Sequence, residues 1–480
     1  MITPRTSLQA GYLMVVVLVF SGIFLTILTS FVVFVVTQSR LIEQKIAFEQ
    51  AGQIAEAGLD YMKWYLAHYP NATTTTITNA YNDPESGAIG QYTITATSTT
   101  FCGAVASLNI TSVGYTDEFT NVRRTISARY ARPNVAEYSF ILNDNVWAGP
   151  DRIINGPYHS NGGIRMDARH NSSVTSAQNT WNCTSGFGCT PSGSRAGVFT
   201  TSGNATPALF DYPQGTISFT DLTVDLGAME QRALTGGGIF LPKAPNGDDG
   251  YRITFNGDNT VTIRRVQTTY SYWGQTTENG WQLEDNVINT LRTGTDTRTI
   301  NPNCPLIVAQ DRVWLSGVVN GKVAIAASHA TSTFNPSIII QDNITYSSAT
   351  TSGLVAIAER DVLLGVDVPT NLNINGIFIA QTGRYGRNFY CDNTAYCSFS
   401  QLMPNNNPNL RQFVIRNSET HNGTIVSNGR VGTQWVSGSV TSSGFLNRFT
   451  SYDRNLIDNP PPFIPTVSDV YQYSDWRDAN

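Results

Sequence analysis

YLMVVVLVFSGIFLTILTSFVVFVV, Tyr12 to Val36, contains no charged residue. At 1.5 Å rise per residue, about 25 apolar or small residues cross a hydrocarbon core about 30 Å thick. A core helix of a water-soluble protein shows a polar face, and this run has none. A secretory signal carries a shorter apolar region, about 7–15 residues, followed by a small-x-small site. Here Gln38, Ser39 and Arg40 follow instead. The run therefore predicts a retained transmembrane helix over residues 12–37. Arg5 precedes it, and Arg40 and Lys45 follow, offset by Glu43 and Glu49, so the distribution of positive charge sets no orientation.

Outward from the run, the helix does not stop. No further proline occurs until Pro70, and Ala, Glu, Gln, Leu and Lys dominate. Phe48, Ala51, Ala55, Gly58, Met62 and Tyr65 recur at spacings of three and four, which makes one apolar stripe. The small residues Ala51, Ala55 and Gly58 allow a sheet to approach the helix backbone closely. After Thr76 the period changes to two. Gln91–Ser98, Val105–Thr116 and Phe119–Ala131 alternate apolar with polar and are separated by turn residues. Three such strands form a meander able to cover the stripe, so residues 38–133 read as an amphipathic helix plus a small antiparallel sheet.

Pro133 opens a different region, 134–480, in which short strands recur and the only helical pattern is LGAMEQRAL, Leu226 to Leu234. Two architectures fit, a right-handed parallel β-helix and an antiparallel sandwich. Runs such as VAIAA and SIIIQ are apolar on both faces or alternate with small residues, which suits stacked coils. The fold class is thus α+β: a long N-terminal helix on a small antiparallel sheet, then a large all-β domain read first as a β-helix. Residues 165–300 look irregular, as insertions or a subdomain. Pro460–Pro462 cannot join a ladder, and Phe463, Tyr471, Tyr473 and Trp476 are expected to fold back as a cap over the last coil.

Composition agrees. Charged residues are 14%, against roughly 25% in an average soluble chain, and 40 glycines stand among many Ser, Thr and Asn. The net charge is −5 with no basic stripe, so no nucleic-acid partner is expected. Cys183 and Cys189 share a spacing with Cys391 and Cys397, in polar loops. That repetition suggests two local disulfides in an oxidising compartment, each stabilising by roughly 2 kcal/mol. The spacing is wide for zinc, and no metal or other cofactor is expected. Cys102 and Cys304 have no assigned pairing.

No HExxH, GxSxG or phosphate-binding loop is present. Asp342, Glu359, Asp361 and Asp367 are the candidate acids, irregularly spaced and at turns, where Asp is expected anyway. Gly257-Asp258-Asn259 could contribute to a calcium site but does not supply enough oxygens. His159 is expected to bond backbone in its turn. Tyr385, Phe389, Tyr390 and Tyr396 could either face a glycan or protein ligand or pack under loops. The expectation is a protein without catalytic activity.

A polar leader ending in Gly11, the uninterrupted apolar helix, and the amphipathic half carrying AEAGLDY (Ala55 to Tyr61) together resemble the type IV pilin superfamily. AEAGL is similar in particular to PilX-like minor pilins and GspK-like pseudopilins. The turn Gly156–Gly162 and the segment Arg448–Thr466 look like those of pilin-fused β-helical domains. The resemblance implies a leader over residues 1–11, cut after Gly11 by a prepilin peptidase, with Tyr12 then N-methylated. It also implies assembly with other pilin subunits through an inner-membrane platform into a surface filament, the C-terminal domain lying outside the cytoplasm. Ala10 departs from the basic residue usual before the cut. Val16 stands where major pilins carry Glu, which implies a minor subunit. A bulky β domain suits a tip position, displayed for adhesion or assembly priming. The competing expectation is a membrane-tethered carbohydrate-binding or carbohydrate-active β-helix protein.

Overall fold

The computed structural model describes residues 9–69, 75–85, 87–222, 224–245, 247–276, 278–406, 408–438, 440–468 and 470–479. The first eight residues of the expected leader lie outside them. The chain divides into two compact units. The first comprises Met1–Ser98, Leu108–Tyr130 and Tyr473–Asn480, and the second Thr99–Ser107 and Ala131–Gln472.

In the first unit a single helix, α1, runs 60 residues from Gln9 to His68, about 90 Å at the standard rise. Its N-terminal half is apolar all round. Thr26, Thr29 and Thr37 turn their hydroxyls back onto the carbonyls of Ile23, Leu25 and Val33, each at 2.7 Å, so these polar groups need no water. At the other end His68 Nδ1 donates to Trp64 O at 2.8 Å, where a donor suits the free carbonyls of a last turn.

Four strands follow: β1 (Thr75–Asp83), β2 (Gly87–Phe101), β3 (Ala104–Thr116) and β4 (Arg123–Ala131). They pair in chain order, and the strand Gln472–Asp478 adds itself beside β4. β1 and β2 are antiparallel with Ile77 opposite Ile94, and β3 and β4 are antiparallel with Ile110 opposite Ala128. The expected meander is therefore extended by a strand on each side. β1, TTITNAYND, escapes a period-two reading because it is Thr-rich and only half-buried. Tyr473 and Trp476 do not cap a coil. Tyr473 packs on Tyr130 and donates its hydroxyl to Leu59 O at 2.5 Å, while Trp476 is exposed. An extended C-terminal segment gains more from an open sheet edge than from lying on a surface as loop.

The second unit is a large mixed β structure. Its main ladder is parallel: Leu306–Ala309, Lys322–Ala327, Gly353–Ala358, Asn371–Ala380 and Ile415–Ser427 pair each with the next. The ladder then continues on strands from far earlier in the chain, since Ile425 pairs with Phe140 and Phe140 with Tyr158. Spatial order thus differs from chain order. A second parallel ladder joins Gly250–Asn256, Val313–Val319, Ile338–Tyr346 and Val362–Leu364. Antiparallel pairing interrupts this pattern: Thr260–Thr276 lies between Gly250–Asn256 and Gly280–Leu291. The region expected to be irregular therefore holds three long strands.

Two-sided burial explains the apolar runs. In VAIAA and GLVAIA, Ile325, Leu354 and Ala356 join one core, with Phe140, Phe378 and Phe445. Ala324, Val355 and Ile357 join another, covered by Met229 and Ala233 of the helix Leu226–Thr235. A strand sandwiched in this way needs apolar side chains on both faces. Asp225 caps that helix by accepting from Ala228 N at 2.9 Å.

Candidate functional site

Two places in the molecule bring chemistry-bearing or partner-seeking residues together. The first is α1. Almost every side chain from Tyr12 to Val36 is exposed, and the most apolar window has a mean hydropathy of 2.6 with none of it buried. This is a helix long and apolar enough to cross a membrane. Tyr12 is 76% exposed, and Gly11 lies within the helical span.

The C-terminal half carries the contact stripe. Ala47, Ala51, Ile54, Ala55, Leu59, Met62 and Leu66 are buried, and from Ile54 to Leu66 they pack with Tyr92, Ile94, Ile110, Ile126 and Ala128. Ala51, Ala55 and Met62 lie within it. Phe48 does not: it is 37% exposed at the margin, with the Arg124 guanidinium 4.9 Å from its ring. Arg124 is shared between Glu49 at 3.4 Å and Asp478 at 2.8 Å, so the edge of the stripe is electrostatic. The seam runs one position to the side of Phe48, through Ala47 and Ile54, because the sheet closes where side chains are smallest.

That closeness is measurable. A Cβ at Gly114 of β3 would stand 2.3 Å from Ala51 O and 2.5 Å from Ala55 N. A Cβ at Gly58 would stand 2.3 Å from Ser112 Oγ. Gly114 is the partner residue that the helix sequence could not name. The only signal for it was a glycine inside a strand pattern, which marks close backbone approach.

The second place is a cleft of about 400 Å³ in the second unit, which Glu284, Asp285, Asp361, Arg312, Arg360 and Arg384 help to line. Glu284 is buried and accepts from Tyr390 Oη at 3.1 Å, from Asn286 Nδ2 at 3.4 Å and from Asn388 Nδ2. Burial pushes its carboxyl up to about 7, against these bonds and the nearby Arg384, which favour the charged form. Arg387, next to Asn388 in sequence and fully buried, donates to Val366 O at 3.0 Å, Phe413 O at 2.7 Å and Gly365 O. The RYGRNFY run, 384–390, thus supplies an internal polar brace. Sequence reading saw only its aromatics, and Tyr385, Phe389 and Tyr390 are buried, packing within the fold.

The four candidate acids are each engaged structurally. Asp342 accepts from Asn343 N at 2.7 Å and Glu359 from His329 N at 2.8 Å. Asp361 is paired with Arg360 at 2.9 Å and accepts from Arg384 N at 2.9 Å. Burial raises the Asp367 carboxyl. Asp258 accepts from Thr260 N and Oγ1, holding a turn. His159 bonds side chains rather than backbone: Thr175 Oγ1 at 2.9 Å and Asn161 Oδ1 at 3.1 Å, with burial lowering its proton affinity. Among the described residues no cluster of His, Cys, Asp and Glu could hold a metal ion.

The sulfurs of Cys183 and Cys189 are 2.05 Å apart and those of Cys391 and Cys397 are 2.15 Å apart. Cys102 and Cys304 are bonded as well, at 2.00 Å across a sequence separation of 202.

No known protein-family profile matches the sequence, and no curated protein does. Among solved structures the chain is similar to the competence-associated pilin ComZ from Thermus thermophilus. The identity is 13%, over 90% of this chain and 97% of that one, with a TM-score of 0.31. A likeness of that degree carries no argument about activity.

Proposed function

We propose that the chain is a structural subunit of a type IV pilus-like filament, a minor pilin or pseudopilin. α1 first lodges it in the membrane and then bundles with the helices of sister subunits. The observation that carries this reading is the junction within α1. One continuous helix has an apolar half exposed on all sides, then a half whose stripe is filled by its own sheet. A simple tether needs no rigid continuation into a folded unit. A subunit that must transfer from lipid to a helical bundle does, because the folded unit has to travel with the helix.

In this reading prepilin peptidase cuts after Gly11, Tyr12 is methylated, and an inner-membrane platform receives the subunit. The parallel ladders of the second unit are read as coils of a β-helix, displayed outside the cytoplasm at the filament tip for adhesion or priming. Oxidised cysteine pairs support an exported location. The subunit performs no catalytic step.

Intact mass of the membrane-extracted protein tests the proposal. A chain beginning at N-methylated Tyr12, and its presence in sheared fibres, are the expected results. A chain beginning at Met1 that never enters fibres would leave only a tether.

A further inference from the structure

A cleft of about 410 Å³ lies in the first unit, beside α1 just past its apolar half. Glu43, Ile46, Ala47 and Gln50 line it from the helix, at the i, i+3, i+4 and i+7 positions of one face. Asp117, Glu118 and Phe119 line it from the turn between β3 and β4. Its lining thus carries three carboxylates and, among the described residues, no cation. The turn is pinned. Asp117 N donates to Ile89 O at 3.1 Å, Phe119 N to Thr116 Oγ1 at 3.3 Å and Val122 N to Phe119 O at 2.9 Å.

The carboxylates are unmatched within the chain. Among the described residues Glu43 meets only the Ser39 hydroxyl, at 3.3 Å, and Asp117 and Glu118 are in no ion pair. The basic residues nearest in sequence do not fill the cleft. Arg40 is in no ion pair among the described residues, and Arg123 donates to Thr120 O at 3.1 Å with its guanidinium 5.0 Å from the Tyr115 ring. Ile46, Ile89 and Phe119 give the lining an apolar part. An acidic cleft with apolar walls suits a cation carried on an apolar stem, which describes a lysine side chain.

The other flank of α1 carries one. Lys45 follows Glu43 by two positions, so it projects about 200° further round the helix, away from the cleft. Leu41, Lys45 and Phe48 stand at i, i+4 and i+7 on that flank, and all three are exposed. Among the described residues Lys45 is in no ion pair. Height matters as much as charge. With residues 12–36 in hydrocarbon, Glu43 and Lys45 stand about 10 and 14 Å past Val36. Every copy in one bilayer therefore holds its lysine level with its neighbour's cleft. An exposed ion pair is weak between molecules free in water, and confinement to one plane raises its effective concentration.

We propose that a second copy of this chain docks here, seating Lys45 among Glu43, Asp117 and Glu118, with Leu41 and Phe48 against the apolar part of the cleft. Cleft and lysine lie on opposite flanks, so each copy receives on one side and gives on the other. The contact is head-to-tail and builds rows in the membrane. A two-fold pair would instead press cleft on cleft, carboxylates against carboxylates. The docking rests on the proposed function only in that α1 is lodged in lipid. It is measured in vesicles without filaments, so its failure and the failure of filament assembly are distinguishable.

The test reconstitutes the full chain in phosphatidylcholine vesicles and treats them with a carbodiimide, which joins an ammonium to a carboxylate in contact with it. The expected product is a ladder of dimers and larger species whose linked peptides join Lys45 to Asp117 or Glu118. Lys63, on the same flank of α1 about 27 Å further along, should give no such link. Lys45→Glu alone, or Asp117→Lys with Glu118→Lys, should lower the yield about fivefold or more, and 0.5 M salt should lower it for the unaltered chain. Mixing the two variants in one vesicle should restore the ladder, because each then meets the opposite charge; a misfolded variant would not be rescued. An undiminished ladder from Lys45→Glu, links that join Lys63 as often as Lys45, a product that stops at dimers, or a mixture that stays unlinked would overturn the proposal.

Discussion

In α1, residues 12–36 expose apolar side chains on every side, whereas residues 47–66 bury one stripe and leave the rest to water. Both halves are one unbroken helix, even though weak helix formers (Val, Ile, Phe, Thr) crowd the first and strong ones (Ala, Glu, Gln) the second. Propensity therefore does not decide the helix; the surroundings each half was written for do. The first half turns the Thr26 and Thr29 hydroxyls against its own backbone and offers mostly hydrocarbon, as lipid or a bundle of like helices requires. The second offers small residues to a sheet that comes close enough for Gly114 to touch its backbone.

The largest expected break is in the first half. Phe24→Arg with Leu28→Arg places two charges on one face near the middle of the run, at about 2.5–3.5 kcal/mol each for insertion. Carbonate extraction should then release the protein from membranes, while thermal unfolding of the second unit stays where it was. Retention of the variant would show that the apolar half is not what lodges the chain.

Next come the disulfides. Replacing both Cys102 and Cys304 by Ala opens a loop of sequence separation 202, worth about 5 kcal/mol in the chain-entropy model. Replacing Cys391 and Cys397 opens a separation of 6 and should cost about 2 kcal/mol. Denaturation midpoints that ranked the two the other way would refute the entropic account. Between the two disulfides falls Gly114→Val, which forces β3 off Ala51 and Ala55. A loss of about 3 kcal/mol is expected in the first unit, read by hydrogen exchange of α1 amides at 51–62, with membrane retention unchanged.

An effect that appears only as pH changes sharpens the contrast between the units. The Glu284 carboxyl sits at about 7 in the fold, against the usual 4.5. Its folded value is raised, so the native state holds an extra proton between those values. Stability is full below about pH 4.5, falls as pH rises toward about 7, and is flat above, by at most about 3 kcal/mol. Glu284→Gln should remove that slope from the second unit's unfolding and leave the first unit's unchanged. A slope that survives the substitution belongs to another group.

Much of the first unit was legible because burial there is one-sided. A period of 3.6 marks the stripe and a period of two marks β2 to β4, and each period reports one solvent boundary. The misreading of Phe48 shows the limit. Phe48 and Ala47 are adjacent, and only the fold decides between them: Ala47 is buried, while Phe48 lies at the margin under Arg124, 76 positions away in sequence. In the second unit, strands buried on both faces lose their period, so Lys322–Ala327 and Gly353–Ala358 could be recognised as strands but not placed. The step from Ile425 back to Phe140 has no local signature, since pairing across so many residues is decided by packing. A cleft of the second unit lined in part by Arg152, Arg430 and Arg448 was hidden for the same reason. Its cations stand at 152, 430 and 448, brought together only by the ladders.

The strand Gln472–Asp478 makes the first unit depend on residues far along the chain. During synthesis α1 emerges first, yet the sheet it packs on gains an outer strand only once Gln472–Asp478 has been made. A product truncated anywhere between Tyr130 and Tyr473 would keep its anchor but leave β4 with a bare edge, missing the Asp478 that Arg124 awaits. Copies cut short there would thus carry a sticky, under-paired rim, a mark by which proteases could tell them from folded ones.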